Sequence, residues 1–306
     1  MIRTRKLRRP RVLVVGAGHV GLRCVTLLRD RYRVFALTRD DDPARLAALR
    51  EAGAVPVAGD LDRRRSLHRA ARLANTILDL APPPASGARD PRSEALIAAL
   101  ARARGRAPIV PERRPPTVVY ASTTGVYGDC GGARVDETRP VRPANPRAVR
   151  RVAAERAWRA AGARRAVDLR IVRIPGIYSA QRLPVERLRK GTPALAEADD
   201  VFTSHIHADD LAAIVIRAAR AGRPQRVYLA ADDTRLRMAD YFDLVADRTG
   251  LPRPPRIARS VAEAVLEPVL LSFMRESRRI DNGRLKHELG YRLRFPTVED
   301  FFDSEG

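Results

Sequence analysis

The chain has 306 residues, of which 45% are hydrophobic, enough for one large α/β domain or a domain with an additional lobe. No apolar run approaches the roughly 20 residues of a membrane span, and no signal-peptide pattern follows the basic amino terminus, so we expect a cytoplasmic protein. The net charge is +22, but all except three of the 58 basic residues are arginines spread along the chain. Without a zinc finger or an aromatic–basic motif, this predicts nonspecific adhesion at low salt rather than specific nucleic-acid binding.

Predicted strands and helices alternate through the first 180 residues, starting with the apolar run Val12–Val15. In chain order the predicted strands are 12–15, 32–39, 54–60, 76–84, 116–123 and 166–178, and the helices are 20–28, 42–53, 61–74, 90–105 and 146–162. The strands are continuous apolar runs rather than alternating ones, which predicts a parallel sheet covered on both faces. A Pro- and Arg-rich loop region, 179–200, precedes shorter elements.

Gly16, Gly18 and Gly21 form a G-x-G-x-x-G motif directly between the first strand and the first helix. The first glycine permits the turn, the second allows the backbone to approach a pyrophosphate, and the third allows the helix to pack on the strand. With His19 and Val20, they begin a helix whose N–H groups can bind phosphates. The motif predicts a dinucleotide site.

The second predicted strand ends in Thr38 and Arg39, and three aspartates, residues 40–42, follow. NAD-binding proteins usually place an acid here on the ribose, whereas an arginine accommodates the 2′-phosphate of NADP. The order of residues favours NADP over NAD. The alternative is that Arg39 is an ordinary surface arginine.

Together these patterns predict an α/β fold: a Rossmann-type doubly wound parallel sheet with a smaller, mostly helical C-terminal substrate lobe. We place the NAD(P)-binding domain at 1–174 and the lobe at 175–306. A segment of the lobe at about 200–217 is expected to return to the main domain.

Six stretches resemble the extended, epimerase/dehydratase-like branch of the short-chain dehydrogenase/reductase superfamily, in that family's order. They are GDLDRRRSL (59–67), LDLAPPP (78–84), YASTTGVYGD with DETRPVRP (120–143), RIPGIYS (173–179), SHIHADDLAAIVIRA (204–218) and the tail SRRIDNGRLKHELGYRLRFPTVEDFF (277–302). The resemblance implies that Asp60 and Leu61 border the adenine and that Ala81 and Pro82 line the cofactor. It also implies a homodimer formed through helices of the main domain.

The family's catalytic set is a Ser or Thr, a Tyr, and a Lys four residues after the Tyr. By the resemblance, Thr123 takes the first place, whereas Arg147 and Arg151 stand at the Tyr and Lys places. Arg151 can still hold the ribose, and Arg147 can bind an anion or stabilise an oxyanion. Arginine cannot replace the tyrosine as a proton shuttle, because its pKa exceeds about 12.

Tyr127 and Tyr178 are alternative acids, since the resemblance places both near the cofactor. Asp129 and Asp136 are weaker alternatives. For Tyr127 we favour a structural role at the end of a strand. The intact cofactor elements with an altered catalytic set resemble the atypical members of the superfamily, particularly the YeeZ-like group.

The remaining polar clusters have simpler interpretations. His205 and His207 suggest a metal site, but the resemblance makes them the end of a strand followed by helix-capping aspartates, so we predict no metal. Arg182 and the basic segment 187–191 would suit an anionic substrate such as a nucleotide-linked or acidic sugar; a solvated face is the preferred interpretation.

The sequence thus supports two functions. The first is an NAD(P)-dependent oxidoreductase or epimerase/dehydratase-like enzyme acting on a carbonyl or sugar-like small molecule. The alternative is a non-catalytic NADP-binding redox sensor or regulatory protein, which the replacements at Arg147 and Arg151 favour. Of the two functions we expect the first, an enzyme that acts on a small-molecule substrate and has no membrane partner.

Overall fold

The computed structural model describes residues 9–39, 42–105 and 114–305. Its strands are β1 Arg11–Val15, β2 Arg33–Thr38, β3 Ala54–Ala58, β4 Thr76–Asp79, β5 Thr117–Thr123, β6 Arg134–Val135, β7 Asp168–Ile174, β8 Gly176–Tyr178, β9 Ala194–Leu195, β10 His205–His207, β11 Arg226–Leu229, β12 Arg256–Ile257 and β13 Arg279–Ile280. Its helices are α1 His19–Leu28, α2 Pro43–Glu51, α3 Leu67–Ala70, α4 Pro91–Gly105, α5 Pro146–Ala163, α6 Val185–Arg189, α7 Ala208–Ala221, α8 Met238–Thr249, α9 Arg259–Val265, α10 Pro268–Met274, α11 Gly283–His287 and α12 Val298–Glu305. None of these described helices is long and apolar enough to cross a membrane.

The described strands include a seven-stranded sheet in the order β3-β2-β1-β4-β5-β7-β11. β1 runs parallel to both of its neighbours, with Val12 opposite Val34 of β2 and Thr76 of β4. Val12–Val15 are each at most 2% exposed, as expected for a strand covered on both faces. Strand order reverses between β1 and β4, the point at which doubly wound sheets bind ligands. The predicted Rossmann-type fold is confirmed.

Three predicted elements differ from the structure, and one of them, the predicted strand 76–84, ends early at Asp79. The predicted helix 61–74 contains only a 3-10 turn and α3, because the Ser66 side chain hydrogen-bonds with the Asp60 backbone and donates to the Arg63 carbonyl, forming a turn. The predicted strand 166–178 divides into β7 and β8 at Pro175, which has no N–H to donate.

The chain forms two compact units. Unit 1 contains the described residues up to Ala121, with Ala153–Ile171 and Val215–Arg226. Unit 2 contains Ser122–Val152, Val172–Ile214 and the chain from Val227 onward. The predicted division into lobes at residue 174 stays a prediction. The two structural units do not divide the chain at one position, because β5, β7 and α5 each begin in one unit and end in the other.

Candidate functional site

The glycine turn of unit 1 packs against the end of β4. Gly16 has φ +86°, and a Cβ built on it would lie 2.6 Å from the Ala81 nitrogen. A Cβ on Gly21 would lie 2.5 Å from the Gly16 carbonyl oxygen, so this glycine permits close packing of α1 on the turn. Gly18 differs, since a Cβ there would meet nothing within 4 Å. Two glycines are thus required by packing, and the third leaves open space at the start of a helix.

α1 begins at the open glycine. Gly18 is exposed and is the N-cap residue, with no side-chain capping hydrogen bond. The first helical turn contains no acidic residue, and Arg23 Nη1 lies 3.2 Å from His19 Nδ1. His19 and Val20 are both half-buried in this turn. A helix start with positive partial charge, a nearby guanidinium and no acid suits a phosphate group.

Arginines line the space at the end of β2. Thr38 is buried and its hydroxyl donates to the Arg39 carbonyl, while Arg39 itself is exposed. The Asp42 carboxylate accepts from the amides of Ala44 and Arg45, 3.0 and 3.2 Å away, and so caps α2. Of the three predicted acids, Asp40 and Asp41 lie outside the described residues.

An ion pair connects the loops that follow β3 and β4. Arg92 of α4 makes two contacts with the Asp62 carboxylate, at 2.8 and 2.6 Å, and donates to the Pro82 carbonyl at 3.2 Å. The hydrogen bond from Arg92 lowers the pKa of Asp62. Asp60 Oδ1 accepts from the Asp62 amide at 2.9 Å, which orders the same loop.

These segments surround a polar cavity of about 310 Å³ at the carboxyl ends of β1 to β4. Its lining includes most of the predicted cofactor residues: Gly16, Thr38, Arg39, Asp60, Leu61, Ala81 and Pro82. It also includes Arg45, Asp62 and Arg92, which sequence reasoning missed. The open Gly18 and the arginines fit a dinucleotide with its phosphates, and on this chemistry unit 1 would hold the cofactor.

In unit 2, Thr123 ends β5 and is half-buried. Its hydroxyl oxygen accepts from the Gly125 amide at 3.2 Å, which caps a short 3-10 turn. This hydrogen bond fixes the position of the hydroxyl.

Tyr127 lies at the end of that turn and is 1% exposed. Its hydroxyl donates to the Asp136 carbonyl at 3.0 Å and accepts from Arg173 Nη1 at 2.7 Å. Both bonds hold the phenol inside a hydrophobic cluster with Val126, Val135, Val152 and Leu229. This geometry suits a packing role.

Arg147 and Arg151 lie one helical turn apart at the start of α5. Arg147 is exposed, and its guanidinium carbon lies 4.5 Å from the centre of the Phe273 ring. Although the residue is exposed overall, partial desolvation of its guanidinium lowers the pKa of Arg147, and the charge of Glu276 partly offsets that effect. Arg151 is half-buried, and its charge also acts on Arg147.

Glu276, which follows α10, is a carboxylate that sequence reasoning missed. Its Oε1 accepts from Asn145 Nδ2 at 2.9 Å, and its Oε2 accepts from Arg278 Nη1 at 2.6 Å. Asn145 also caps α5, because its Oδ1 accepts from the Ala148 amide. The side chain of Glu276 is 8% exposed. Glu276 lies 131 positions from Asn145 along the chain, so no local pattern pairs them.

The other candidate acids have different roles in the described structure. Burial opposes the charge of Asp129, but hydrogen bonds from the Ser277 and Gly131 amides outweigh it and lower the pKa of Asp129. Hydrogen bonds from Thr138 lower the pKa of Asp136. The Tyr178 hydroxyl donates to the Thr297 carbonyl, and burial raises the pKa of Tyr178.

His205 and His207 pack among aromatic rings. His205 stacks on Tyr241 at 4.0 Å between ring centres, and His207 lies 4.2 Å from Phe295. His207 Nδ1 lies 3.2 Å from the Asp209 amide, a capping contact for α7. The described residues contain no group of three or more His, Cys, Asp or Glu side chains that could hold a metal.

The two arginines proposed from the sequence for an anionic substrate, Arg182 and Arg187, have different environments. The guanidinium of Arg187 lies 4.6 Å from the centre of the Phe242 ring, and the side chain is half-buried. Arg182 is exposed. Arg187 therefore packs into unit 2, while Arg182 stays on its surface.

The sheet order, the glycine turn at the switch point and the polar cavity define a dinucleotide-binding protein of the Rossmann class. The NAD dependent epimerase/dehydratase family model matches residues 12–231. The chain belongs to that family, which gives it an NAD-dependent epimerase/dehydratase-like role. No match was found among curated proteins.

Solved structures share the fold over nearly the whole chain. A conserved protein of unknown function from Silicibacter pomeroyi is 29% identical, with a TM-score of 0.78 over 96% of this chain and 97% of that chain. A dTDP-glucose 4,6-dehydratase double mutant from Streptomyces venezuelae, with NAD bound, is 22% identical, with a TM-score of 0.75 over 95% and 94%. A UDP-glucose 4-epimerase from Thermotoga maritima, with UDP-glucose, is 17% identical, with a TM-score of 0.73 over 97% and 100%.

Proposed function

We propose that the protein is an NADP-dependent oxidoreductase or epimerase/dehydratase-like enzyme of the atypical short-chain dehydrogenase type. The observation that carries the proposal is the glycine turn at the switch point, where Gly16 and Gly21 are required by packing while Gly18 faces open space. This is the arrangement that a dinucleotide pyrophosphate needs. The substrate is a carbonyl or sugar-like small molecule; the sugar nucleotides named for the two enzyme structures are the first candidates.

NADP is proposed over NAD because of the charges at the end of β2. Arg39 and Arg45 both line the cavity, and either guanidinium can bind a 2′-phosphate. The described acid of this segment, Asp42, also lines the cavity, but its Oδ1 accepts two amide hydrogen bonds at the start of α2. An NAD site would instead need a carboxylate turned to the ribose hydroxyls.

The chain's own residues have distinct proposed roles. The cofactor supplies a hydride acceptor or donor when bound. The Thr123 hydroxyl, held by the Gly125 amide, hydrogen-bonds the reacting oxygen of the substrate. By the family resemblance Arg151 would hold the nicotinamide ribose, and Arg147 would contribute positive charge to an anionic group.

The second candidate function is a non-catalytic NADP-binding sensor. It is favoured by the environments of Arg147, which stands at the family's tyrosine place, and of Tyr127, an alternative acid. Arg147 cannot exchange a proton near neutral pH and stacks on Phe273, and the Tyr127 hydroxyl is bound by Asp136 and Arg173.

Titration with NADPH and NADH, followed by fluorescence, tests the cofactor assignment. We expect NADPH to bind at least 10-fold more tightly than NADH, and Arg39→Ala to reduce that ratio about 10-fold, equivalent to about 1.4 kcal/mol. Arg102→Ala, an exposed arginine on α4, is the matched control and should not change it. Equal affinities would contradict NADP, and binding of neither nucleotide would contradict both candidate functions.

Turnover separates the enzyme from the sensor. Purified protein is incubated with NADP⁺ and either dTDP-glucose or UDP-glucose, and with NADPH and a panel of aldehydes and ketones. Product formed with any substrate class supports the enzyme. Tight NADPH binding without product in any class supports the sensor.

A further inference from the structure

We propose that Glu276 is the acid–base residue of this chain, the group that accepts the substrate's hydroxyl proton. This inference rests on the proposed enzyme function. Thr123 and Arg147 supply a hydroxyl and a positive charge, but neither is a proton acceptor suited to neutral pH. Glu276 is a carboxylate in the same cluster of unit 2.

Gly125 lies close to both the Glu276 carboxylate and the Thr123 hydroxyl. A Cβ built on Gly125 would lie 3.5 Å from Thr123 Oγ1 and 3.9 Å from Glu276 Oε2. Gly125 itself places no side chain between these two oxygens. A substrate hydroxyl entering there would meet a hydrogen-bonding group and a proton acceptor together.

Two side chains fix the position of the Glu276 carboxylate. Arg278 contacts Oε2 at 2.6 Å, and Asn145 contacts Oε1 at 2.9 Å. Asn145 is itself fixed by capping α5, since its Oδ1 accepts from the Ala148 amide at 2.9 Å. The rigid start of α5 therefore holds the carboxylate in one orientation, which a general base needs.

The other carboxylates near this cluster are engaged differently. Asp129 accepts amide bonds from Gly131 and Ser277, and Asp136 accepts the amide and hydroxyl of Thr138 in a local turn. Each is therefore part of a loop's own hydrogen bonding. Glu276, in contrast, is contacted by two side chains, and its Oε2 and Thr123 Oγ1 both lie within 4 Å of a Cβ built on Gly125.

The proposed step is the oxidation of a substrate alcohol, with NADP⁺ as the oxidant. The substrate O–H bond breaks and its proton passes to the Glu276 carboxylate. The adjacent C–H bond breaks, and its hydrogen leaves with the electron pair to NADP⁺. The oxygen's electron pair forms the new C=O bond, so a secondary alcohol becomes a ketone and the carboxylate becomes a carboxylic acid.

Glu276→Gln tests this role, because it keeps the shape and one acceptor but removes the charge. Glu263→Gln is the matched control: Glu263 is an exposed carboxylate on the nearby α9 that pairs with Arg275 at 2.7 Å. We expect Glu276→Gln to bind NADPH within 2-fold of wild type and to lose at least 100-fold in kcat with the sugar nucleotide that turns over. Glu263→Gln should stay within 2-fold in both.

Chemical rescue distinguishes proton transfer from positioning. Glu276→Ala leaves room for a small acid, so added formate should raise the kcat of this variant at least 10-fold. The thermal unfolding temperature of each variant shows whether it has folded. A folded Glu276→Ala variant that formate does not rescue would overturn the acid–base role.

A measurement that does not depend on turnover is the carbon-13 NMR signal of the labelled Glu276 carboxyl carbon. The signal is assigned because it is absent from the spectrum of the Glu276→Gln variant. We expect dTDP-glucose or UDP-glucose to shift this signal in the wild-type protein. A signal that neither nucleotide sugar moves, or a Glu276→Gln variant within 5-fold of wild-type kcat, overturns the inference while the proposed function stands. Wild-type protein that binds neither NADPH nor NADH overturns both.

Discussion

Gly16 and Gly18 are two residues apart in one turn, yet their environments predict opposite effects of the same substitution. Gly16→Ala puts a Cβ at φ +86° and 2.6 Å from the Ala81 nitrogen, so we expect a loss of about 1–3 kcal/mol in the free energy of unfolding. Gly18→Ala meets no atom within 4 Å and should change stability by less than about 0.5 kcal/mol. It should nevertheless weaken NADPH binding at least 10-fold, because the methyl group occupies the approach to the backbone.

Urea unfolding and NADPH titration of both variants measure these effects. A Gly18→Ala variant with unchanged affinity would show that no pyrophosphate approaches this glycine. A Gly16→Ala variant as stable as wild type would contradict the packing argument.

Residues that line the cavity of unit 1 could be predicted from the sequence, because each follows a strand that could be recognised locally. Gly16, Arg39, Asp60 and Ala81 are the examples, and all four line the cavity. Glu276 could not be predicted in this way, since its partner Asn145 is 131 positions distant. Arg92 could not be predicted for another reason. The chain has many arginines, and only the structure shows that this one binds Asp62.

Tyr127 should contribute to stability more than to turnover. Tyr127→Phe removes the acceptor of a 2.7 Å bond from Arg173, which is 4% exposed, so we expect a loss of about 1–3 kcal/mol in unfolding free energy. We expect kcat to stay within 5-fold of wild type. Tyr32→Phe, at a half-buried tyrosine of unit 1, is the control. A kcat loss above 100-fold with unchanged stability would instead identify Tyr127 as the proton donor.

At the scale of elements, α2 depends on its capping residue. Asp42 accepts from two amides of the first turn, so Asp42→Ala should lower the unfolding free energy by about 0.5–2 kcal/mol in urea denaturation. Asp30→Ala, at a side chain that is 90% exposed, should have no comparable effect. Equal stability of the two variants would contradict the capping role.

Elements with a continuous apolar run or a clear glycine boundary were predictable, and short ones were not. β1 and α2 are found where the sequence places them. The predicted helix 61–74 shrinks to α3, because side-chain hydrogen bonds of Ser66 compete with the helix. β11, with four residues, joins the sheet only through long-range pairing that no local pattern records.

For the whole molecule, the net charge of +22 is mostly arginine and does not change between pH 5 and pH 8 through those side chains. The pH dependence of global stability in this range therefore depends on groups such as histidine. His205 is the clearest case. It is 6% exposed, and among the described residues its Nδ1 has no hydrogen-bond partner.

Burial lowers the pKa of His205 to about 3, whereas an unfolded histidine titrates near 6.5. Between these values the unfolded chain binds the extra proton, so stability falls as the pH drops below about 6.5. At about 1.4 kcal/mol per pH unit, the loss reaches about 2 kcal/mol at pH 5.

His205→Met, which keeps an apolar side chain of similar size, should remove this loss. Urea unfolding at pH 7.5 and 5.0 measures it, with exposed His287→Met as the control. If wild type and His205→Met lose equal stability over this interval, His205 is protonated in the folded protein and the burial argument fails.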